Sequence, residues 1–139
     1  MVLEAKLVNY ILAQHAEADA FEAKAPGNWM GRLAGPEETT YWESRCPTGT
    51  LAEFERIELE ESAYYATADA YCKSFARSFD FSTMSDTQLE ELIKEACDEM
   101  DAEREAEKAY QAAEEKRIAE LASSLSVDVN TLNRWMEAA

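Results

Sequence analysis

Apolar residues recur at three- and four-residue steps along most of this chain, a spacing that predicts helices with one buried face. Residues 2–24 form the first such segment, and Pro26-Gly27 predicts where it ends. A second helix is predicted from residue 51 to about Phe79, because Thr50 and Glu53 have the spacing of a capping box. Its wide aromatic stripe is typical of a central helix, with a ligand groove as the alternative. The stripe comprises Phe54, Ile57, Tyr64, Ala68, Tyr71, Phe75 and Phe79.

The rest of the chain predicts a long helix. Ser85 and Gln88 again have capping-box spacing, and neither glycine nor proline occurs from residue 86 to residue 139. One helix, or two that are nearly continuous, is therefore expected to run to about residue 123. Its apolar face thins after Met100, so the middle is expected to stand clear of the core or to pair with a second copy through its alanines. The thinned face holds Ala102, Ala106, Ala109, Tyr110 and Ala113.

Residues 25–49 break the helical pattern, since they contain all four glycines and all three prolines of the chain. A long connection is expected there, with a short hairpin around residues 31–42. Long connections are often functional, and Trp and Arg are common interface hot spots. Trp29, Arg32 and Trp42 are therefore candidate anchors for a partner. The alternative is that both tryptophans simply cover the core.

Composition narrows the function classes. The chain has 29 Asp and Glu against 13 Lys and Arg, a formal charge of −16 in 139 residues, and 47% of its residues are hydrophobic. This apolar content favours a folded protein, and no apolar run is long enough to span a membrane. The cysteines are best explained as free thiols in a reducing cytoplasm. Three widely spaced cysteines and the single His15 argue against a disulfide framework and a zinc site. No catalytic motif is present, so neither an enzyme nor a cofactor or metal is expected.

Residues 117–136 carry apolar side chains in the order of two short crossing helices. Ile118, Leu121 and Ala122 are expected to form the buried face of the first helix. Leu132 and Trp135 are expected to form that of the second.

Leu125-Ser126-Val127 has the character of a turn, and Asp128 is placed to cap the second helix. In this pattern the segment resembles the helix-turn-helix superfamily, whose members most often have glycine where this chain has Ser126. The resemblance implies that the second helix reads DNA in the major groove, where amides pair with adenine and Arg with guanine. It would place near the groove Val129, Asn130, Thr131, Asn133 and Arg134.

Taken together, these patterns predict an all-α fold, a helical bundle with a long acidic helix and a C-terminal helix-turn-helix-like hairpin. Residues 1–97 would be a helical body with an aromatic loop at 25–49. Residues 98–139 would be the acidic helix and the hairpin, either as a separate part or as one continuous domain with the body.

Charge opposes plain DNA binding. Residues 98–139 hold 11 acids and 5 bases, whereas a DNA reader usually presents a basic stripe. Nine acids lie among the eighteen residues from Glu90 to Glu107, and five among the nine from Glu53 to Glu61. Such rows are usually the solvated face of a helix. Few bases oppose these acids, however, and an excess of negative charge also fits imitation of a DNA backbone. The row expected to meet a partner is Glu91, Glu95, Asp98, Glu99 and Glu103.

In size, charge and helicity the chain resembles the small acidic phage proteins that block restriction or CRISPR enzymes, some of them by mimicking DNA. The resemblance implies a non-catalytic inhibitor that occupies a basic site on a nucleic-acid-handling protein, in the host cytoplasm if the gene belongs to a phage. One alternative is a helix-turn-helix DNA-binding regulator. Another is a dimeric structural adaptor, since a homodimer through the long helix is also consistent with the pattern.

Overall fold

The computed structural model describes residues 1–139 and is all-α, without strands. The prediction of an all-α protein is therefore confirmed. Six α-helices occur, with a short 3₁₀ helix at Phe81–Thr83 before the fifth. They are α1 (Ala5–Lys24), α2 (Thr39–Arg45), α3 (Leu51–Ala70), α4 (Lys73–Ala76), α5 (Asp86–Ser124) and α6 (Val129–Ala138).

The core lies where α1, α2 and the first half of α3 meet, and we call this part together with the first half of α5 the body. Leu7 and Ile11 from α1, Trp42 and Cys46 from the α2 region, and Phe54 from α3 are fully buried together. Burial of large apolar side chains such as these is the dominant favourable contribution to folding.

Gly49 closes the body by joining the N-terminus to the start of α3. Its carbonyl accepts a hydrogen bond from the backbone N–H of Glu4 at 2.8 Å, and the Glu4 carboxylate accepts one from Leu51 N–H at 3.0 Å. The backbone of Gly49 has φ +65°, and an added Cβ would lie 3.2 Å from the Val2 carbonyl oxygen. Glycine is needed because both the left-handed backbone and the close approach disfavour a side chain.

No hairpin occurs in residues 31–42, and that prediction is wrong. Residues 28–34 instead run along α1 and bond to its side chains, after which the chain forms α2. Gln14 donates to the Gly31 carbonyl at 2.7 Å and accepts from Leu33 N–H at 3.0 Å, and His15 donates from Nε2 to the Leu33 carbonyl at 2.7 Å. These polar partners come from a helix rather than a second strand.

Helix α3 ends at Ala70, nine residues before the predicted end near Phe79. Tyr71 leaves the helical conformation and Cys72 is extended, with its Sγ accepting the Phe75 N–H that begins α4. The chain then runs back along α3, where Arg56 holds it by donating to the carbonyls of Phe81 and Met84. The helical spacing of the aromatics misled the prediction, since they pack across a chain reversal.

Helices α3 and α5 are parallel. Arg56, near the start of α3, bonds Asp86 at the start of α5 at 2.6 Å. Asp69, near the end of α3, shares a surface groove with Met100 and Glu103 of α5. Because α5 has 39 residues and α3 has 20, α5 continues far beyond its partner.

The long helix was predicted to run from 86 to about 123, and its observed span confirms this. Every residue from 101 to 113 is exposed, so its middle stands clear of the body. We call residues 104–139, which comprise the projecting part of α5 together with α6, the arm. No helix of the protein is both long enough and apolar enough to cross a lipid bilayer.

Candidate functional site: the acidic face of α5

The predicted acidic row lies on the solvent side of α5. Leu89 and Ala96 are buried and the helix packs on α3, which fixes the orientation of the remaining faces. All five row residues are exposed, and only Asp98 has a salt bridge, with Lys94 Nζ at 2.5 Å. The hydrogen bond that Lys94 donates to Asp98 raises the pKa of Lys94. Four row carboxylates therefore remain without a salt bridge, at Glu91, Glu95, Glu99 and Glu103.

The acidic stretch of α3 is different, because two arginines pair with three of its five acids. Arg45 of α2 bonds both Glu61 and Glu58, the latter at 2.6 Å. Arg56 bonds Glu60 at 2.8 Å within α3. The hydrogen bond from Arg45 lowers the pKa of Glu61, and that with Glu61 in turn raises the pKa of Arg45. The α5 row therefore has fewer paired acids than the α3 stretch. This difference depends on Arg45, which the fold brings from α2 to α3.

The α5 acids form a dense line of negative charge. The eighteen residues from Glu90 to Glu107 span about 27 Å at 1.5 Å per residue, so their nine acids amount to one every ~3 Å. One strand of duplex DNA carries a phosphate every ~3.4 Å along the axis. Lys94 and Arg104 offset only part of this charge, so its linear density is close to that of one DNA strand.

The three candidate anchors of the loop have different environments. Trp29 is 77% exposed and available at the surface. Arg32 is partly exposed, but its guanidinium is held by Glu22 at 2.8 Å and by Asp19, and these hydrogen bonds raise its pKa. Trp42 is fully buried, with Nε1 donating to the Gly35 carbonyl at 2.9 Å. The prediction that Trp42 anchors a partner is therefore wrong, because this side chain cannot reach a partner without unfolding the core.

The thiol of Cys46 is part of the core. It donates to the Glu53 carboxylate at 3.0 Å, and burial followed by this carboxylate raises its pKa to about 11. The hydrogen bonds from Cys46 and then Thr48 lower the pKa of Glu53. A neutral, buried thiol lacks the thiolate character that nucleophilic chemistry needs.

A surface feature that the pattern did not predict is a path of six aromatic rings along the chain reversal. Consecutive ring centroids are 5.0–6.4 Å apart, and Phe79 and Phe81 are stacked. A groove of about 520 Å³ lies along part of this path. The sequence showed the aromatic stripe, but the predicted straight helix would have arranged these side chains along one helix face. In the structure they lie on both sides of the chain reversal. The rings are Tyr65, Tyr64, Phe81, Phe79, Phe75 and Tyr71.

The second predicted site lies at the end of the arm. Ser126 has φ +56°, Val127 N–H bonds the Ala122 carbonyl, and Ser126 N–H bonds the Ser123 carbonyl, both at 3.1 Å. This pair of bonds is a Schellman motif. The carboxylate of Asp128 then accepts the Thr131 N–H at 2.7 Å and caps α6, which lowers its pKa.

Within the arm, the buried residues are Ala122 and Leu132, and Ile118 is half-buried. Leu121 and Trp135 are exposed, contrary to their predicted core positions, because no third helix covers this pair. Asn130, Asn133 and Arg134 are exposed, and Thr131 is half-buried. A groove of about 530 Å³ separates α6 from the preceding part of α5. Its lining comprises Tyr110, Gln111, Glu114, Glu115, Ile118, Val129 and Asn133.

Comparison with known proteins adds no assignment: neither the family models, nor the curated proteins, nor the solved structures gave a match to this chain.

Proposed function

We propose that this protein is a non-catalytic inhibitor whose α5 acidic face occupies a basic, nucleic-acid-binding site on another protein. The observation that carries the proposal is the row of exposed carboxylates without salt bridges at Glu91, Glu95, Glu99 and Glu103. Like charges at four-residue steps destabilise a helix by a few tenths of a kcal/mol each. A chain that pairs three of its five acids in the α3 stretch but leaves these four unpaired presents a negative surface that Lys and Arg would bind.

The shape of the site supports the same function. The row lies on one rigid helix that is braced by α3, so its charges are held in place before a partner arrives and little ordering is needed on binding. Its linear charge density is close to that of one DNA strand, which favours a cleft that normally accepts a phosphate backbone. Trp29, the exposed ring of the loop, is the candidate for an additional apolar anchor. The anti-restriction and anti-CRISPR type of inhibitor is the class that fits these features.

The test is capture from host lysate on the immobilised protein, with washes at rising salt and identification of both the proteins and the nucleic acids retained. We expect nucleic-acid-binding proteins to be retained and to elute as salt screens the interaction. Purified captured protein should also release a fluorescent DNA duplex when this protein is added.

The decisive variant reverses Glu91, Glu95 and Glu99 to Lys. A matched control reverses Glu17, Glu37 and Glu55, three exposed acids outside the row, so that both variants have the same net charge. Loss of capture and of its salt dependence in the row variant alone supports the proposal. Equal binding by the two variants would contradict docking through this face, because net charge alone would then account for the interaction.

A helix-turn-helix DNA-binding regulator is the second candidate, and the turn of the arm favours it. Ser126 adopts a left-handed backbone at the position where the superfamily usually has glycine, and Asp128 caps the following helix. Asn130 and Arg134 are exposed and available to bases and phosphates. Against this, Asn133 lines a groove beside Glu114 and Glu115, which would repel the phosphate backbone.

Gel shifts at low salt, where electrostatic binding is strongest, separate the two functions. A regulator should shift genomic fragments, and Arg134→Ala or Asn130→Ala should abolish the shift. The inhibitor should shift none of them, and its row variant should still capture no partner. A specific shift that the row variant retains would assign the function to the arm instead.

A further inference from the structure

We infer that the arm is a self-association surface, through which two copies of this chain pair in antiparallel orientation. The groove between α5 and α6 would receive the arm of the second copy, so that the same surface is used twice around a two-fold axis. This proposal is independent of the acidic face, which lies on the other part of α5.

The arm exposes more large apolar side chains than its size would require. It has only two fully buried side chains, yet Tyr110 is 66% and Trp135 is 54% exposed. With large side chains of about 150–250 Å² each, the exposed apolar surface comes to roughly 500 Å². This value is the sum over six side chains, of which Tyr110 and Val129 line the groove. The exposed side chains concerned are Tyr110, Leu121, Leu125, Val129, Trp135 and Met136.

A symmetric pair that covers all six side chains on both copies would bury about 1,000 Å² of apolar area. The polar side chains between them would bring the total to the ~1,200 Å² at which specific interfaces begin. The surface is wider than the predicted alanine contact. Ala113 lies only about 60° around α5 from Tyr110, at 100° per residue, and α6 adds Val129 to the groove beside Ile118.

The low net charge of the arm favours a second copy over a basic partner. The arm holds seven acids and five bases, a net −2, whereas residues 1–103 hold 22 acids and 8 bases, a net −14. A basic partner would bind the body rather than the arm. Four of the five arm bases are also paired within α5, namely Arg104, Lys108, Lys116 and Arg117. The arm keeps four acids without a salt bridge, at Glu107, Glu115, Asp128 and Glu137, yet its net −2 repels a second arm far less than a net −14 would.

The projecting shape explains the antiparallel orientation. Residues 104–124 extend about 30 Å at 1.5 Å per residue, which is several times the ~8 Å Debye length at physiological salt. Antiparallel arms leave the two bodies, each with a net −14, at opposite ends, where their repulsion is screened. Parallel arms would place the bodies side by side at full repulsion.

The first test is the molar mass in solution, by sedimentation equilibrium at about 1–100 µM, the range in which small interfaces dissociate. The expected mass approaches twice the 15.7 kDa of one chain as concentration rises. Raising the salt should leave this mass nearly unchanged, because the repulsion between bodies at opposite ends is already screened, whereas docking on a basic partner should weaken. A mass of one chain throughout overturns the proposal.

The surface is tested with Tyr110→Glu and Val129→Glu, neither of which should disturb the fold. Tyr110 is an exposed mid-helix position, and Val129 is in the first turn of α6, where the helix dipole favours an acid. Tyr65→Glu on α3 is the matched control, since that ring is 62% exposed and the charge change is the same. Both arm variants should sediment as single chains and Tyr65→Glu as the pair, with unchanged circular dichroism for all three. Any other pattern overturns the assignment.

The orientation is tested with a spin label on Cys97, which is exposed on the body part of α5. The other exposed cysteine is removed as Cys72→Ser, because serine also caps a helix as the Cys72 Sγ does. Two labels on antiparallel arms should be about 50 Å apart, since each is 17 residues, or about 25 Å, from the groove centre at Glu114. A distance below about 30 Å overturns the antiparallel arrangement.

Discussion

The indole of Trp42 joins the loop to the helices on either side of it. Its ring packs on Phe54 with centroids 5.6 Å apart and on Tyr41 at 5.0 Å, while Nε1 donates to the Gly35 carbonyl. Trp29 belongs to the same loop but lies at the surface. Two identical residues thirteen positions apart thus have opposite roles, one in the core and one available for contacts.

We expect Trp42→Phe to lower the free energy of unfolding by about 2–4 kcal/mol. The smaller ring leaves a cavity, and the Gly35 carbonyl loses its partner in a buried environment. Trp29→Phe makes the same chemical change at the surface and should alter stability by less than about 0.5 kcal/mol. Urea unfolding monitored by circular dichroism measures both. Similar losses in the two variants would mean that the buried position of Trp42 is not what stabilises the body.

At this scale the sequence predicts residue type better than residue role. Capping residues such as Thr50, Ser85 and Asp128 were identified correctly, because a cap depends on neighbours within three positions. The pairing of Arg45 with Glu58 and Glu61, and the burial of Trp42 rather than Trp29, depend on how the loop folds onto α1 and α3. No local pattern contains that information.

Among the elements, α5 was predictable and the end of α3 was not. Helix α5 begins at a capping box and is free of glycine and proline, so its span follows from local propensity. Helix α3 ends at Ala70 although no glycine or proline follows. The chain reversal after it is stabilised by Arg56, which lies near the start of α3, and by the packing of aromatic rings. A tertiary bond therefore outweighed a helical pattern that otherwise continued to Phe79.

The turn between α5 and α6 gives a prediction of its own. We expect Ser126→Gly to stabilise the arm by about 0.5–1 kcal/mol, because at φ +56° a side chain is strained and glycine is not. Amide exchange at Leu132, which bonds the Asp128 carbonyl in the first turn of α6, should slow about threefold.

Ser123→Gly is the control for that change, since Ser123 is exposed and lies inside the last turn of α5. The same substitution there should speed exchange, because glycine weakens a helix interior. Opposite signs at positions three residues apart would establish that the left-handed conformation of Ser126 is the cause. A slowing at both positions would assign the effect to lost side chains instead.

The −16 charge of the whole molecule is unevenly distributed along the chain. The acidic segments also differ in how many of their acids are paired with a base. The arm has a net charge of only −2, three of the five acids in the α3 stretch are paired, and four of the five row acids of α5 are unpaired. If the bare row exists for binding, it should reduce stability, since a protein often carries a functional surface at a cost to its fold. Fold class and the position of the row could be predicted from the sequence, but this division of charge could not.

We therefore expect Glu91→Gln, Glu95→Gln and Glu99→Gln together to raise the melting temperature by about 2–4 °C, because three like-charge pairs at four-residue steps are removed. Glu58→Gln with Glu61→Gln should lower the melting temperature, because Arg45 then loses both its partners.

The hydrogen bond from Arg45 holds the pKa of Glu61 below its usual range. The stability that this pair contributes is therefore present above the unfolded-state pKa near 4.3 and is lost as pH falls through the folded value. Thermal unfolding at pH 7 in low and high salt measures both changes. The gain from the row variant should shrink in high salt, where repulsion is already screened. A row variant that melts lower than the parent would show that these carboxylates stabilise the fold, and the case for a surface kept for a partner would fail.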